Sequence, residues 1–270
     1  MIDIKKELLK TARNSIRLEI GGEASGLTKF GGKPDVPEDF EWAYYNGRPL
    51  SFLMQLDLSE MPPTPLPHLY LLWLPKTGIL SFFYELETKP QSVDDEDNGF
   101  ARVYWFEDKN ALHEAEFPDD LKHRLPELGI AAKLEKSYQS YPDFLLQRPK
   151  LTEEWERFET AQRSIGIEED KNITKMLGWA DPVRGNMTVA CELMSRGYNL
   201  ADEQGKSEVP PLDKQEAEQW SAKDWVPLLQ LDTVTDGDFC LDLGGRLFFY
   251  IRLDDLASRN FNDIMLFLQR

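Results

Sequence analysis

Only two of the 270 residues are cysteine and three are histidine, which leaves little room for disulfide or zinc chemistry. Cys191 and Cys240 lie 49 positions apart with no second cysteine beside either. That pattern is expected of two buried or half-buried thiols in a reducing compartment. His68, His113 and His123 show no metal-ligand spacing. Basic charge is scarce as well: 31 lysines and arginines stand against 48 aspartates and glutamates, a formal charge of −17. Proteins that grip phosphate backbones draw their affinity from clustered Lys and Arg, so nucleic acid and anionic membrane are excluded as partners. The longest apolar run, Leu69 to Leu74, is far too short for a membrane span. Met1 to Glu7 lacks the apolar stretch of a secretion signal, and the expected address is the cytoplasm. No phosphate loop and no dinucleotide-type glycine fingerprint is present, so no cofactor is implied. Gly22-Glu23-Ala24-Ser25-Gly26 carries its serine one place too late for a nucleophile elbow.

What the chain does hold is 41% hydrophobic residues with 11% aromatics, too rich for disorder despite the charge. Its length is enough to bury roughly 73% of the unfolded surface without cross-links. Ile4, Leu8, Leu9, Ala12 and Ile16 form a helical stripe, predicting a helix over about 2–14. Ile16 to Ile20 then alternates as a strand and stops at Gly21-Gly22. Further β-like runs are 52–58, 69–74, 78–85, 102–106, 226–232, 246–252 and 264–268, with an extended proline loop at Pro62 to Pro67. The stretch from Asp108 to about Gly166 reads as helical, with Thr152 as an N-cap, and another helix is expected over Asp213 to Ala222.

An internal repeat is the strongest pattern. Leu53-Met54-Gln55-Leu56-Asp57 recurs as Leu228-Leu229-Gln230-Leu231-Asp232, and each is followed by Gly-x-Leu-x-Phe, at Gly78 to Phe82 and at Gly245 to Phe249. Strand alternation sets Gln55 with Asp57, and Gln230 with Asp232, on a face opposite the apolar one. Two glycine-containing turns, Lys29 to Pro37 and Lys175 to Val183, form a second related pair. Asp181, in the latter, is a candidate binding residue. The expected fold is α+β: a duplicated β-rich unit with peripheral helices in a single compact globule. One domain then spans 1–270, with units at about 16–107 and 173–270 joined by a helical segment over 108–172.

Candidate chemistry is thin. Asp57 and Asp232, one per repeat, are weak catalytic candidates if they face each other across a pseudo-two-fold axis with Gln55 and Gln230 between them. The structural alternative is that each Gln and Asp holds its own turn. Arg246 and Arg252 share a strand face with Phe248 and Tyr250 and are candidates to pair with those acids. No metal site is assigned: Asp94 to Gly99 begins like a calcium loop but has Trp105 where a bidentate Glu is needed. Only a weak, non-helical calcium site at Asp94 to Asp97 survives that test. Asp232 to Leu243 fails in the same way, with Val234 and Leu243 at two ligand positions. Cys191 sits in an apolar, strand-like context suited to a buried thiol. The aromatic groups Phe40-Trp42-Tyr44-Tyr45 and Tyr104-Trp105-Phe106 suit sheet faces, with a binding platform as the alternative.

Several ordered motifs together resemble the YwqG-like family of bacterial cytoplasmic proteins of unassigned function. They are Gly31-Gly32-Lys33-Pro34, Pro49 to Leu58, Met176 to Met187, Leu228 to Asp232, Gly245 to Arg252, Asp255-Leu256-Ala257 and Asn260-Phe261. The chain departs from that family's pattern at Arg184-Gly185-Asn186 and at Cys240-Leu241-Asp242. The resemblance implies an α+β fold and, for some members, an immunity-like or protein-binding role. Together with the acidic charge, it points to a non-enzymatic binding module for a basic, toxin-like protein partner; a hydrolase using the paired Asp residues is the alternative.

Overall fold

In the computed structural model, residues 2–63, 73–91, 98–167, 173–183, 185–198, 200 and 209–270 are described. Residues 69–72 of the strand expected over 69–74, the calcium candidate at Asp94 to Asp97, most of the proline loop and His68 lie outside them, and the described end of that run, Trp73-Leu74, is not strand.

The N-terminal helix spans only Ile4–Leu9, capped by Asp3, whose side chain accepts from the Lys6 N–H. The apolar stripe predicted continuation to about residue 14. Instead the chain turns at Lys10-Thr11 and β1 begins at Arg13, running to Ile20. The reason is tertiary: β1 is paired along both edges, so ladder bonds outweigh a local helical preference. The expected helical segment over 108–172 is corrected more deeply. Its centre, Leu128–Ser137, is a ten-residue strand, β10. The good helix formers of Ala131 to Lys136 are overridden by eight consecutive pairings with β1, from Arg13↔Ser137 to Ile20↔Ile130. The α-helices of this segment both follow the strand, at Tyr141–Leu146 and Trp155–Ser164. Thr152 does not cap the second of these: its hydroxyl donates to the Pro149 carbonyl and closes a 3₁₀ turn, and Glu154 holds the cap position.

The remaining strands of the main sheet are β2 (Lys29–Phe30), β6 (Ser51–Asp57), β7 (Ile79–Tyr84), β8 (Ala101–Phe106), β11 (Lys175–Met176), β12 (Trp225–Leu231), β15 (Arg246–Arg252) and β16 (Met265–Gln269). With β1 and β10 they form one ten-stranded antiparallel sheet in the order β16-β15-β12-β11-β1-β10-β2-β6-β7-β8. Small two-stranded pairs lie beside it: β3 (Asp35–Val36) with β9 (His113–Glu114), β4 (Tyr44–Tyr45) with β5 (Arg48–Pro49), and β13 (Val234–Asp236) with β14 (Phe239–Leu241).

Outward from the β1–β10 pair, both sides of the sheet have the same sequence of a two-residue strand, two long strands and an edge strand. The register breaks at matching places, between Phe52 and Met54 on β6 and between Pro227 and Leu229 on β12. Both short strands end in left-handed backbone, at Gly31-Gly32 and at Leu177-Gly178. A Cβ on Gly31 would lie 2.1 Å from the Pro126 carbonyl oxygen, so that turn has both a conformational and a steric need for glycine.

The sheet curls until its inner faces meet. Phe82 of β7 packs edge-on against Phe249 of β15 with ring centroids 5.3 Å apart, and one apolar core spans both sides. At the far ends, Arg259 stacks over Trp105 of β8 and the Leu268 N–H of β16 donates to the Gln91 carbonyl. Full burial of large side chains such as Tyr84, Phe82, Phe83, Phe248 and Phe249 contributes much of the driving force. A satellite core of Ile4, Leu8, Phe144 and Phe158 holds the N-terminal helix to the two central ones. The other α-helices among the described residues are Met187–Ser195, Pro211–Asp224 and Leu253–Ser258. Among the described residues no helix is long and apolar enough to cross a membrane.

Candidate functional site

Gln55 and Lys29 stand opposite one another across β6 and β2. The Gln55 amide is fully buried and fully used. Its Nε2 donates to the Leu27 carbonyl and to Asp35 Oδ2, both at 2.8 Å, while its Oε1 accepts from the Asp35 N–H. Lys29 Nζ then pairs with Asp35 Oδ2 at 3.0 Å and with Glu127. Two residues further on, the Asp57 N–H donates to Thr28 Oγ1.

The same bonds occur on the other side of the sheet. Gln230 faces Lys175 across β12 and β11. Its Nε2 donates to the Ile173 carbonyl and Asp181 Oδ2, its Oε1 accepts from the Asp181 N–H, Lys175 Nζ pairs with Asp181 Oδ2, and the Asp232 N–H donates to Thr174 Oγ1. Both constellations clamp a turn to its neighbouring strand, since an unpaired polar group at such depth is costly.

The two carboxylates are committed in the same sense. Asp57 Oδ1 accepts from the Ser59 N–H and hydroxyl, and its Oδ2 takes Lys109 Nζ at 2.6 Å. Burial pushes the Asp57 carboxyl upward, but the bonds from Lys109 and Ser59 outweigh it and hold the group below its ordinary range. Asp232 accepts from the Thr233 and Ile173 N–H groups and from Arg246 Nε. Each aspartate therefore sits in its own turn with its own cation, and no bond joins them. An acid–base pair keeps two carboxylates at one cleft in different protonation states, whereas each of these is tied to its own turn and cation, and this geometry gives the paired-Asp hydrolase no support.

Of the two arginines, Arg246 pairs with Asp232 and also reaches the Asp181 carbonyl. Arg252 does not approach those acids. It lies over the Trp225 ring, donates to Ser195 Oγ and pairs with Glu192. Cys191 is in the helix Met187–Ser195 rather than a strand, fully buried, and burial drives its thiol well above the ordinary range. Cys240 is exposed rather than half-buried, because it falls on the small β13–β14 ribbon. Asp143 is a further buried acid: Ser140 and Asn186 donate to it, joining the starts of two helices, and burial raises its carboxyl to about 6. Among the described residues no group of three metal-ligating side chains converges.

Sequence reasoning missed Lys29, Lys175, Asp35, Thr28 and Thr174. A signal was present, because Thr-Lys at 28–29 and 174–175 is followed by Asp six residues after each lysine.

A different place is open to a ligand. The segments around residues 36–44 and 113–118 are clipped together by the β3–β9 pair and by the Ala115 N–H donating to the Pro34 carbonyl. Between them lies a cleft of about 360 Å³ walled by Phe40, Trp42, Tyr44 and Phe117, with Glu38, Glu116 and His113 at its edge. The rings are fixed from behind. Phe40 stacks on buried Phe83 and meets Tyr104 edge-on, while Trp42 abuts Phe83 and Phe117 and donates Nε1–H to the Leu50 carbonyl. Tyr44 is 49% exposed, and its hydroxyl reaches Asp120. Burial, then the Asp120 carboxylate, raises the Tyr44 phenol. Aromatic walls with a few polar groups at the rim are the make-up of a ligand-recognition surface.

A family model described as Domain of unknown function (DUF1963) matches residues 28–269. No curated protein matches the chain.

Proposed function

We propose, starting from the fact that the chain belongs to the family described as Domain of unknown function (DUF1963), that it is a non-enzymatic protein-binding module. The observation that carries this reading is the aromatic cleft with acidic residues at its edge, whose Phe40 and Trp42 rings pack on the core. The polar motifs that would otherwise suggest chemistry are spent on holding turns. Interfaces favour Trp and Tyr anchors of this kind. The formal charge of −17 favours a basic partner and speeds encounter with it.

The finer reading follows from the motif resemblance: a YwqG-like bacterial cytoplasmic protein, immunity-like in masking a basic toxin-like surface. We also read the chain as two copies of one strand unit. That reading is supported by the matched Gln–Lys–Asp clamps, the matched register breaks and the strand order that repeats outward from β1 and β10.

The test is affinity purification of the protein from its own cells at low and at raised salt, with mass spectrometry and reconstitution of any stoichiometric partner. The expected partner is a net-positive protein that reconstitutes with purified components and dissociates as salt rises. Recovery of nothing specific at low salt, or of a partner indifferent to salt, would overturn the reading.

A further inference from the structure

We infer that the aromatic cleft is a receptor for a single arginine side chain presented by a basic protein partner. The inference rests on the protein-binding reading and names the group that the cleft takes. Its volume, about 360 Å³, lies at the small end of the roughly 300–1,000 Å³ range of sites that enclose whole ligands. The room is ample for one long side chain.

The charge around the cleft is predominantly negative. Residues 35–44 and 113–120 contain eight carboxylates and no lysine or arginine. The nearby cations are already engaged: Lys33 is divided between Glu114 and Glu116, and Arg124 donates to the Leu121 and Pro118 carbonyls. Glu38 makes no hydrogen bond or ion pair among the described residues and stands exposed at the mouth, so it is the carboxylate available to an incoming cation. The walls are aromatic faces and edges, and a cation beside such rings gains from their quadrupoles. The chain already does this at the same ring set: the Arg124 guanidinium carbon lies 5.3 Å from the Phe117 centroid. A planar guanidinium both stacks on a ring and forks onto a carboxylate, which an ammonium cannot do. That distinction selects arginine over lysine.

The probes are three blocked pentapeptides that differ only in the central residue: arginine, lysine or citrulline, the last being the neutral isostere of arginine. Binding is read on the Trp42 indole N–H in a proton–nitrogen correlation spectrum, the signal being identified by its loss in Trp42→Phe. The arginine peptide is expected to shift that signal in a saturable way, and the lysine peptide to bind more weakly. Losing the charge in citrulline should weaken binding by about fivefold or more. Glu38→Gln, an exposed change, is expected to bring arginine close to the citrulline level, and Tyr44→Ala should weaken all three. Equal shifts from arginine and citrulline, or arginine binding that leaves the Trp42 signal in place, would overturn the inference even if either variant folds poorly. The two readings fail separately. A basic partner captured equally by wild type and by Glu38→Gln would leave the protein-binding reading standing and remove the cleft from it. Saturable arginine binding with no protein partner would do the reverse.

Discussion

Replacing Gln55 by alanine tests whether the buried clamps hold the fold. The amide has no exposed surface and makes three hydrogen bonds. Its removal strands the Asp35 N–H and the Leu27 carbonyl, and it leaves Asp35 Oδ2 with Lys29 as its remaining partner. Stranding a buried backbone group costs about 1–3 kcal/mol, and water entering the vacated space brings the cost toward the lower figure. The expected loss is about 2–5 kcal/mol, a large share of the ~5–15 kcal/mol that stabilises a typical domain. Gln230→Ala breaks the corresponding three bonds and is expected to cost a similar amount. The assay is urea unfolding of each variant, with linear extrapolation and a comparison of slopes. A loss below about 1 kcal/mol at both positions would refute the account, since it would mean that the amides are replaceable by water at no penalty. A full loss at one position and none at the other would refute the equivalence of the clamps.

Two further outcomes are expected. The Asp143 carboxyl is raised from 3.8 to about 6, chiefly by burial. Its contribution to stability is therefore fully present below about pH 3.8 and lost as pH rises through about 6; the total is about 3 kcal/mol. Asp143→Asn should remove that dependence and raise stability at pH 7, and wild-type and variant curves running parallel from pH 4 to 7 would sink the assignment. A colorimetric thiol reagent should react promptly with one cysteine of the native protein and with both after denaturation, because Cys240 is exposed and Cys191 buried. Rapid reaction of both in the native state would contradict that burial.

Much of the sheet was legible because the signal was local. Alternation with glycine punctuation placed the runs at 78–85, 102–106, 226–232 and 246–252 within a residue or two of β7, β8, β12 and β15. β10 was not legible, because Ala131 to Lys136 has helical composition and becomes a strand through a partner more than a hundred residues away. The site divides in the same way. Gln55, Asp57, Gln230 and Asp232 stood out through repetition, which reports that residues do the same thing but not what that thing is. Whether a carboxylate faces its twin or its own turn depends on loops such as the one carrying Lys109, which alternation does not locate. The aromatic run at Phe40 to Tyr45 was visible as a candidate platform. Its opposite wall, from Glu114 to Pro118, was not, because it joins the cleft through a two-residue ladder.

The pairing of β1 bears on how the chain is made. This strand carries residues 13–20, yet its neighbours are β10 and β11, so Arg13 meets Ser137 and Ile16 meets Met176. During synthesis from the N-terminus it emerges with both of its edges unmatched, and β2 waits on β10 as well. Sheets that depend on such distant partners form slowly and expose strand edges meanwhile. A nascent chain stalled after β1 has emerged but before residue 128 presents both backbone edges of that strand to its surroundings, and β1 is fully seated only when the segment at 175–176 arrives.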